Sequence, residues 1–259
     1  MKKAITIVAA ILLAGTPQIE AQTMIEKNNI TLNSDLMTPE SLWAMGRMGG
    51  AAASPNGKQI VYQVGYYSVE QNKGHQILYV MDSDGKNKKR LTTSTKSETD
   101  AAWIEGGRTI AFITDGQLWE MNVDGSCRRQ LTNSKADIEG FRFSPDGEKV
   151  ILLKSLTYNG SIKANPSDVP LATGRVVTDM NYRHWDHYVE SITHPYVANV
   201  TSDGVNDGID IMEGEPYECP LAPFGGIEQL AWSPDSKYVA YTCRKKVGVE
   251  YAISTDADI

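Results

Sequence analysis

The sequence predicts an all-β protein: an incomplete β-propeller of about three blades plus part of a fourth, with a short N-terminal helix and a partly helical insertion in the third blade. Three observations carry that reading. A turn followed by an alternating apolar strand recurs four times without gaps, a second hairpin unit follows it, and the copies are spaced at about the length of one four-stranded blade.

The first residues stand apart from the repeat. Residues 1–21 have the pattern of a secretory signal peptide: Lys2 and Lys3 at the start, an apolar run over 4–14, and a polar exit ending at Ala21. Those eleven apolar residues rise only ~16 Å as a helix, too short for a ~30 Å hydrocarbon core, so a membrane anchor does not fit. No Cys follows the run to carry a lipid, and cleavage is expected after Ala21, although Ile19 is bulky where a small residue is preferred. The mature chain is therefore expected in the periplasm or secreted. Residues 22–50 read as an N-terminal extension with a short helix, Thr38 as its N-cap, Pro39 in its first turn and Gly49-Gly50 as its stop.

The partial propeller is expected over 51–259. Its first unit appears as Ser54-Pro55-Asn56-Gly57, Ile104-Glu105-Gly106-Gly107, Ser144-Pro145-Asp146-Gly147 and Ser233-Pro234-Asp235-Ser236. Pro presets φ for a turn, Asp or Asn bonds its own backbone, and Gly accepts the positive φ of a reversal. The pairs Ile60/Tyr62, Ile110/Phe112, Val150/Leu152 and Val239/Tyr241 follow each turn at period two, which puts a strand face into a core. A second unit ends in Asp84-Gly85, Asp124-Gly125 and Asp203-Gly204, a strong hairpin signal between apolar strands. Two hairpins per repeat make a four-stranded sheet. Gly57 to Gly107 is 50 residues, Gly107 to Gly147 is 40, and Gly147 to Ser236 is 89. The last interval is one blade carrying an insertion, placed at about 156–226.

The insertion departs from the repeat. Val176, Met180, Tyr182, Trp185 and Val189 fall at roughly helical intervals, so 175–190 is expected as a helix or two short turns. His184 and His187 lie three apart, but zinc needs three or four converging ligands, and surface histidines on an amphipathic helix are the better reading. No metal and no cofactor is expected. Glu213, Glu215 and Glu218 follow in an acidic stretch. Together with Trp185, Tyr188 and Tyr217 they have the chemistry to hold a peptide's α-amino group, by charge-assisted hydrogen bonds and cation–π contact. A solvated acidic loop is the plainer account of the same residues.

Composition excludes other classes. The net charge of −7 offers no basic field for nucleic acid or anionic membrane. Cys127, Cys219 and Cys243 match no zinc spacing; in an exported chain one pair could oxidise, and three unpaired thiols fit equally well.

Several stretches together resemble a known family. Thr38-Pro39-Glu40, Leu42-Trp43, the Ser-Pro-Asp-Gly turns, Ala172-Thr173-Gly174-Arg175, His184-Trp185-Asp186 and the run from Asp210 to Glu218 are similar to the bacterial dipeptidyl peptidase 5 branch of the prolyl oligopeptidase serine peptidases. The likeness spans about 36–259. The propeller turns are shared with TolB-like proteins; the insertion motifs are far more specific. The resemblance implies a propeller that gates a following α/β-hydrolase domain, peptide as substrate, and release of dipeptides from free N-termini. It points to Glu213 and Glu215, then Trp185 and Tyr188, as the amine anchor, and leaves a homodimer of the full-length protein open.

One departure bears on mechanism. A G-x-S-x-G nucleophile elbow does not occur between Met1 and Ile259, and no alternating β/α pattern could build a hydrolase sheet. The α/β-hydrolase domain is expected to be absent from this chain, with no catalytic residue within it and no dipeptidyl hydrolysis by it alone. Open strand edges in the fourth unit would make it prone to aggregate. The alternative is a non-enzymatic exported propeller, similar to TolB, that binds protein or peptide. The long insertion favours the peptidase.

Overall fold

The repeated turns are wired by the same atoms in three places. Ser54, Ser144 and Ser233 each donate a hydroxyl to the side chain two residues on, Asn56, Asp146 or Asp235, at 2.8, 2.6 and 2.6 Å. The same side-chain oxygen accepts the backbone N–H of Lys58, Glu148 or Lys237. Gly57, Gly147 and Ser236 then take left-handed φ of 68°, 76° and 60°. Ser236 bears the strain of a Cβ there, and its hydroxyl accepts the Asp146 N–H at 3.2 Å, tying one turn to the next. Because Asp146 and Asp235 accept these bonds as carboxylates, their pKa values are lowered.

The protein is described by a computed structural model over residues 24–31, 34–157, 162–163, 171–172, 176–177, 189 and 191–259. Helix α1 (Pro39–Ala44) opens on a capping box in which Thr38 and Ser41 exchange hydrogen bonds. Four antiparallel strands follow in sequence order: β1 (Arg47–Ala53), β2 (Gln59–Ser68), β3 (Lys73–Asp82) and β4 (Lys89–Arg90). A second sheet repeats that order with β5 (Thr99–Ile104), β6 (Thr109–Thr114), β7 (Gln117–Asn122) and β8 (Arg129–Gln130). The third starts with β9 (Ile138–Phe143) and β10 (Lys149–Thr157). The chain then leaves it, forming the pair β11 (Ile162–Lys163) and β12 (Val176–Val177), before β13 (Ser191–Thr201) returns beside β10. β14 (Gly204–Val205) and β15 (Ile209–Asp210) complete that sheet on β13. A last pair, β16 (Leu230–Trp232) and β17 (Val239–Tyr241), precedes α2 (Gly248–Ile253).

Cores lie between successive sheets rather than within one. Val61, Leu78, Val80 and Leu91 of the first sheet's region meet Ile110, Phe112 and Met121 of the second. Ala111, Ile113, Leu118 and Leu131 meet Phe141, Val150, Leu152 and Ala198. Ile151 and Leu153 meet Leu230 and the two buried cysteines. On β6 and β10, even and odd residues therefore face different neighbours, and both faces are dry. Mostly β-sheet, with sheets stacked face to face in chain order, the molecule is propeller-like.

Two sequence expectations change. The Gly49-Gly50 pair, read as the helix stop, lies inside β1 at a bulge between Met48 and Ala51. The helix ends earlier, at Ala44, ahead of Gly46, where a β-carbon would come within 2.7 Å of the Tyr66 ring. At its start, the expected helix over 175–190 holds a strand instead, Val176–Val177 paired with Ile162–Lys163. His184, Trp185, Asp186, His187 and Tyr188 lie outside the described residues, as do residues 1–21.

Neighbouring sheets are also joined by polar ties. The Trp103 indole N–H donates to the Ala52 carbonyl at 2.8 Å, and Trp232 donates to Arg142 at 2.9 Å, each reaching from one sheet's first strand to the previous one's. Trp103→Phe keeps the ring and loses this donor, leaving a carbonyl short of a partner. The expected loss is about 1–2 kcal/mol, read as a lower denaturant midpoint at unchanged slope; an unaltered midpoint would show that the tie is dispensable.

Candidate functional site

The first strands of successive sheets run side by side, and each is irregular near its start. Pairing shifts at Gly49-Gly50 in β1, at Asp100-Ala101 in β5 and around Glu139 in β9. A bulge turns a side chain out of its alternating register and re-aims it. At Asp100 the backbone takes a left-handed φ of 54°, and its N–H donates to Gln63 Oε1 at 3.3 Å.

Two of these bulges open on one cavity of about 320 Å³. Asp100 and Glu139 line it together with Glu218 and Glu228, and none of its described lining residues is basic. Thr193 Oγ1 donates to Glu139 at 2.8 Å, leaving the other carboxylate oxygen for a ligand. Asp100 is exposed as a residue, yet desolvation of its carboxyl raises its pKa, against a hydrogen bond from Thr99. Glu218 is buried and accepts the Tyr251 hydroxyl. With Glu218 engaged by Tyr251, the carboxyls of Asp100, Glu139 and Glu228 give the cavity an acidic lining of the kind that suits a cationic group carrying several donors, such as an ammonium. Among the described residues, no group of three or more His, Cys, Asp or Glu is placed to hold a metal ion.

The acidic segment after β15 is shaped by a buried histidine. His194 in β13 makes one contact to Asp210 Oδ2 at 2.9 Å and another to the Tyr217 carbonyl at 2.8 Å, so its ring spans both ends of the segment. Asp210 Oδ1 accepts the Met212 N–H at 2.8 Å, and Glu215 N–H returns to the Met212 carbonyl at 3.0 Å. Met212 and Glu218 are thereby turned inward, while Glu213 and Glu215 are exposed. His75 does the same work in β3, where its ring nitrogens reach the Ile25 and Lys96 carbonyls at 2.8 and 3.1 Å.

Of the residues expected from sequence, Glu213 and Glu215 stand free on this turn, and Trp185 and Tyr188 are not described. Sequence reasoning missed Asp100 and Glu139, which belong to strands forty residues apart by the repeat. The only local signal was a carboxylate standing at the start of an otherwise apolar strand, which is common on surfaces.

Fold and cavity define a β-propeller-like protein with an acidic pocket at the end from which its inserted segment leaves. No protein-family profile matches the chain. Its sequence is 39% identical over 233 residues to dipeptidyl-peptidase 5 of Porphyromonas endodontalis, covering 88% of this chain and 34% of that protein. Against dipeptidyl-peptidase 5 of Porphyromonas gingivalis the identity is 40% with the same coverage. Over 88% of its length the chain is thus similar to bacterial dipeptidyl-peptidase 5. It spans about a third of the length of these curated relatives. Among solved structures, an acylaminoacyl peptidase of Pyrococcus horikoshii superposes with a TM-score of 0.48 at 10% identity, over 64% of this chain and 25% of that one; at that level the likeness carries no function.

Proposed function

We propose that this chain is the propeller portion of an exported serine peptidase that releases dipeptides from peptide N-termini. Its three larger sheets are three blades, and β16–β17 is the opening hairpin of a fourth. The propeller admits the peptide and holds its free amine, while the catalytic serine, aspartate and histidine belong to an α/β-hydrolase domain outside these 259 residues. The observation that carries this reading is the identity of 39–40% over 88% of the chain to proteins named dipeptidyl-peptidase 5.

The amine is held at the acidic end. Asp100 and Glu139 supply charge in the pocket, Glu213 and Glu215 supply it on the segment after β15, and Trp185 and Tyr188 of the insertion are assigned the aromatic part of the anchor. Dipeptides are selected because an α-ammonium can be anchored only at a fixed distance from the scissile bond, so an acylated N-terminus loses the charge that is read.

The test uses the full-length exported protein, whose mature N-terminus should be Gln22. It should cleave a fluorogenic dipeptidyl substrate and leave the N-acetylated form intact. Glu139→Gln removes the charge while keeping the Thr193 bond, and should raise KM about 10-fold or more with kcat little changed. A full-length protein that cleaves both substrates equally, or a Glu139→Gln KM equal to wild type, would remove the pocket from the mechanism.

A further inference from the structure

Cys219 and Cys243 are buried, whereas Cys127 is exposed. Both buried thiols belong to one core cluster with Ile151, Leu153, Met212 and Leu230, packed between β10 and the β16–β17 pair. They reach it on two different segments. Cys219 closes the acidic segment, and its N–H donates to the Thr193 carbonyl at 2.9 Å. Cys243 follows β17 and exchanges backbone hydrogen bonds with Asp258 at 3.0 and 2.9 Å. One residue before Cys219, Glu218 accepts the hydroxyl of Tyr251 from α2, which lies between Cys243 and Asp258 in the chain. Burial, and next the charge of Cys243, push the Cys219 thiol up to about 12, which places Cys243 within electrostatic reach of it inside the shared cluster. Burial also raises Cys243.

We propose that Cys219 and Cys243 are a redox pair that closes into a disulfide, fastening the acidic segment to the last strands. The structure holds the reduced form. The Sγ–H bonds of both cysteines break and one Sγ–Sγ bond forms. Two protons and two electrons pass to a thiol–disulfide oxidant such as oxidised glutathione, whose own S–S bond is cleaved to two thiols. Thiols this buried present little thiolate, so closure occurs as the segment docks during folding, and the finished bond is then shielded from reductant. A crosslink here removes freedom from the chain between 219 and 243 and holds Glu213, Glu215 and Glu218 against the third sheet.

The full-length protein should be refolded in mixed reduced and oxidised glutathione, alkylated in denaturant and digested without reduction. Mass spectrometry is expected to find the Cys219 and Cys243 peptides joined, lighter by two hydrogens than their sum, with Cys127 alkylated. Oxidation should raise the thermal midpoint of wild type and leave that of Cys219→Ala/Cys243→Ala unchanged. The same digest on protein recovered from its source without refolding reads the pair independently. Cys219 and Cys243 both alkylated after folding in oxidant, or either joined to a different thiol, overturns the proposal.

Discussion

Glu98→Ala is expected to destabilise the protein by about 3 kcal/mol or more, whereas Glu98→Gln should cost clearly less, about 1–2 kcal/mol at neutral pH. Glu98 is fully buried in the connection between the first two sheets. One carboxylate oxygen accepts the Thr92 hydroxyl at 2.8 Å and the other pairs with Arg128. Thr92 Oγ1 in turn accepts the Leu78 N–H at 2.8 Å, so the network reaches into β3. Alanine would strand a half-buried guanidinium and a buried hydroxyl at once. Glutamine keeps one acceptor, for Arg128, but turns an amide NH2 toward Thr92 Oγ1, so the Thr92 hydroxyl loses its own acceptor while most of the network survives.

That charge is costly, and pH reads the cost. Burial raises the Glu98 pKa above its ordinary value of 4.5, and Arg128 only partly opposes the shift. The folded state then binds this proton more tightly than the unfolded state does. The Glu98 contribution to stability accordingly falls as pH rises from the ordinary carboxylate value through the raised one, opposite in sign to that of a salt-bridged carboxylate with a lowered pKa. Stability measured against pH should carry this downward component in wild type and lose it in Glu98→Gln. An identical profile in both would show that Glu98 titrates as an exposed acid.

Phe112→Ala is expected to cost about 3–5 kcal/mol. The ring is fully buried between the first two sheets, beside Val61, Leu78, Leu91 and Met121. A cavity there cannot collapse easily, because the first sheet and the second are each held by their own ladders. The Arg128 guanidinium lies 4.8 Å over the same ring, so removing Phe112 also strips one face of the cation paired with Glu98. Losses from Phe112→Ala and Glu98→Ala should therefore not add. A double-mutant cycle is expected to give a coupling of about 0.5–3 kcal/mol, and strict additivity would argue that Arg128 does not link the two. The denaturant midpoint of each single variant and of the pair measures all three quantities.

The local chemistry is written in short stretches of the chain. Ser-Pro-Asn-Gly and Ser-Pro-Asp-Gly specify their own turns, since the serine hydroxyl and the Asn or Asp side chain bond backbone groups only a few residues away. The alternation in Ile110/Phe112 and Val150/Leu152 specifies strands for the same reason, because the side-chain period is a property of one strand. The acidic stretch was legible too, as was the family likeness in the motifs around it.

Which residues meet is set by the packing of one sheet on the next. Ala111 and Ile113 fall on the reverse side of the strand, yet they are buried like Ile110 and Phe112, because a second sheet packs on that face. Asp100 and Glu139 share a cavity because strand bulges re-aim them and neighbouring sheets bring their first strands together. Glu218 turns inward and Glu213 outward because His194, upstream in β13, pins the segment at Asp210 and Tyr217. Such contacts depend on how one sheet lies against the next, and the energy that sets that packing is summed over many distant side chains, with no trace in any short stretch of the chain.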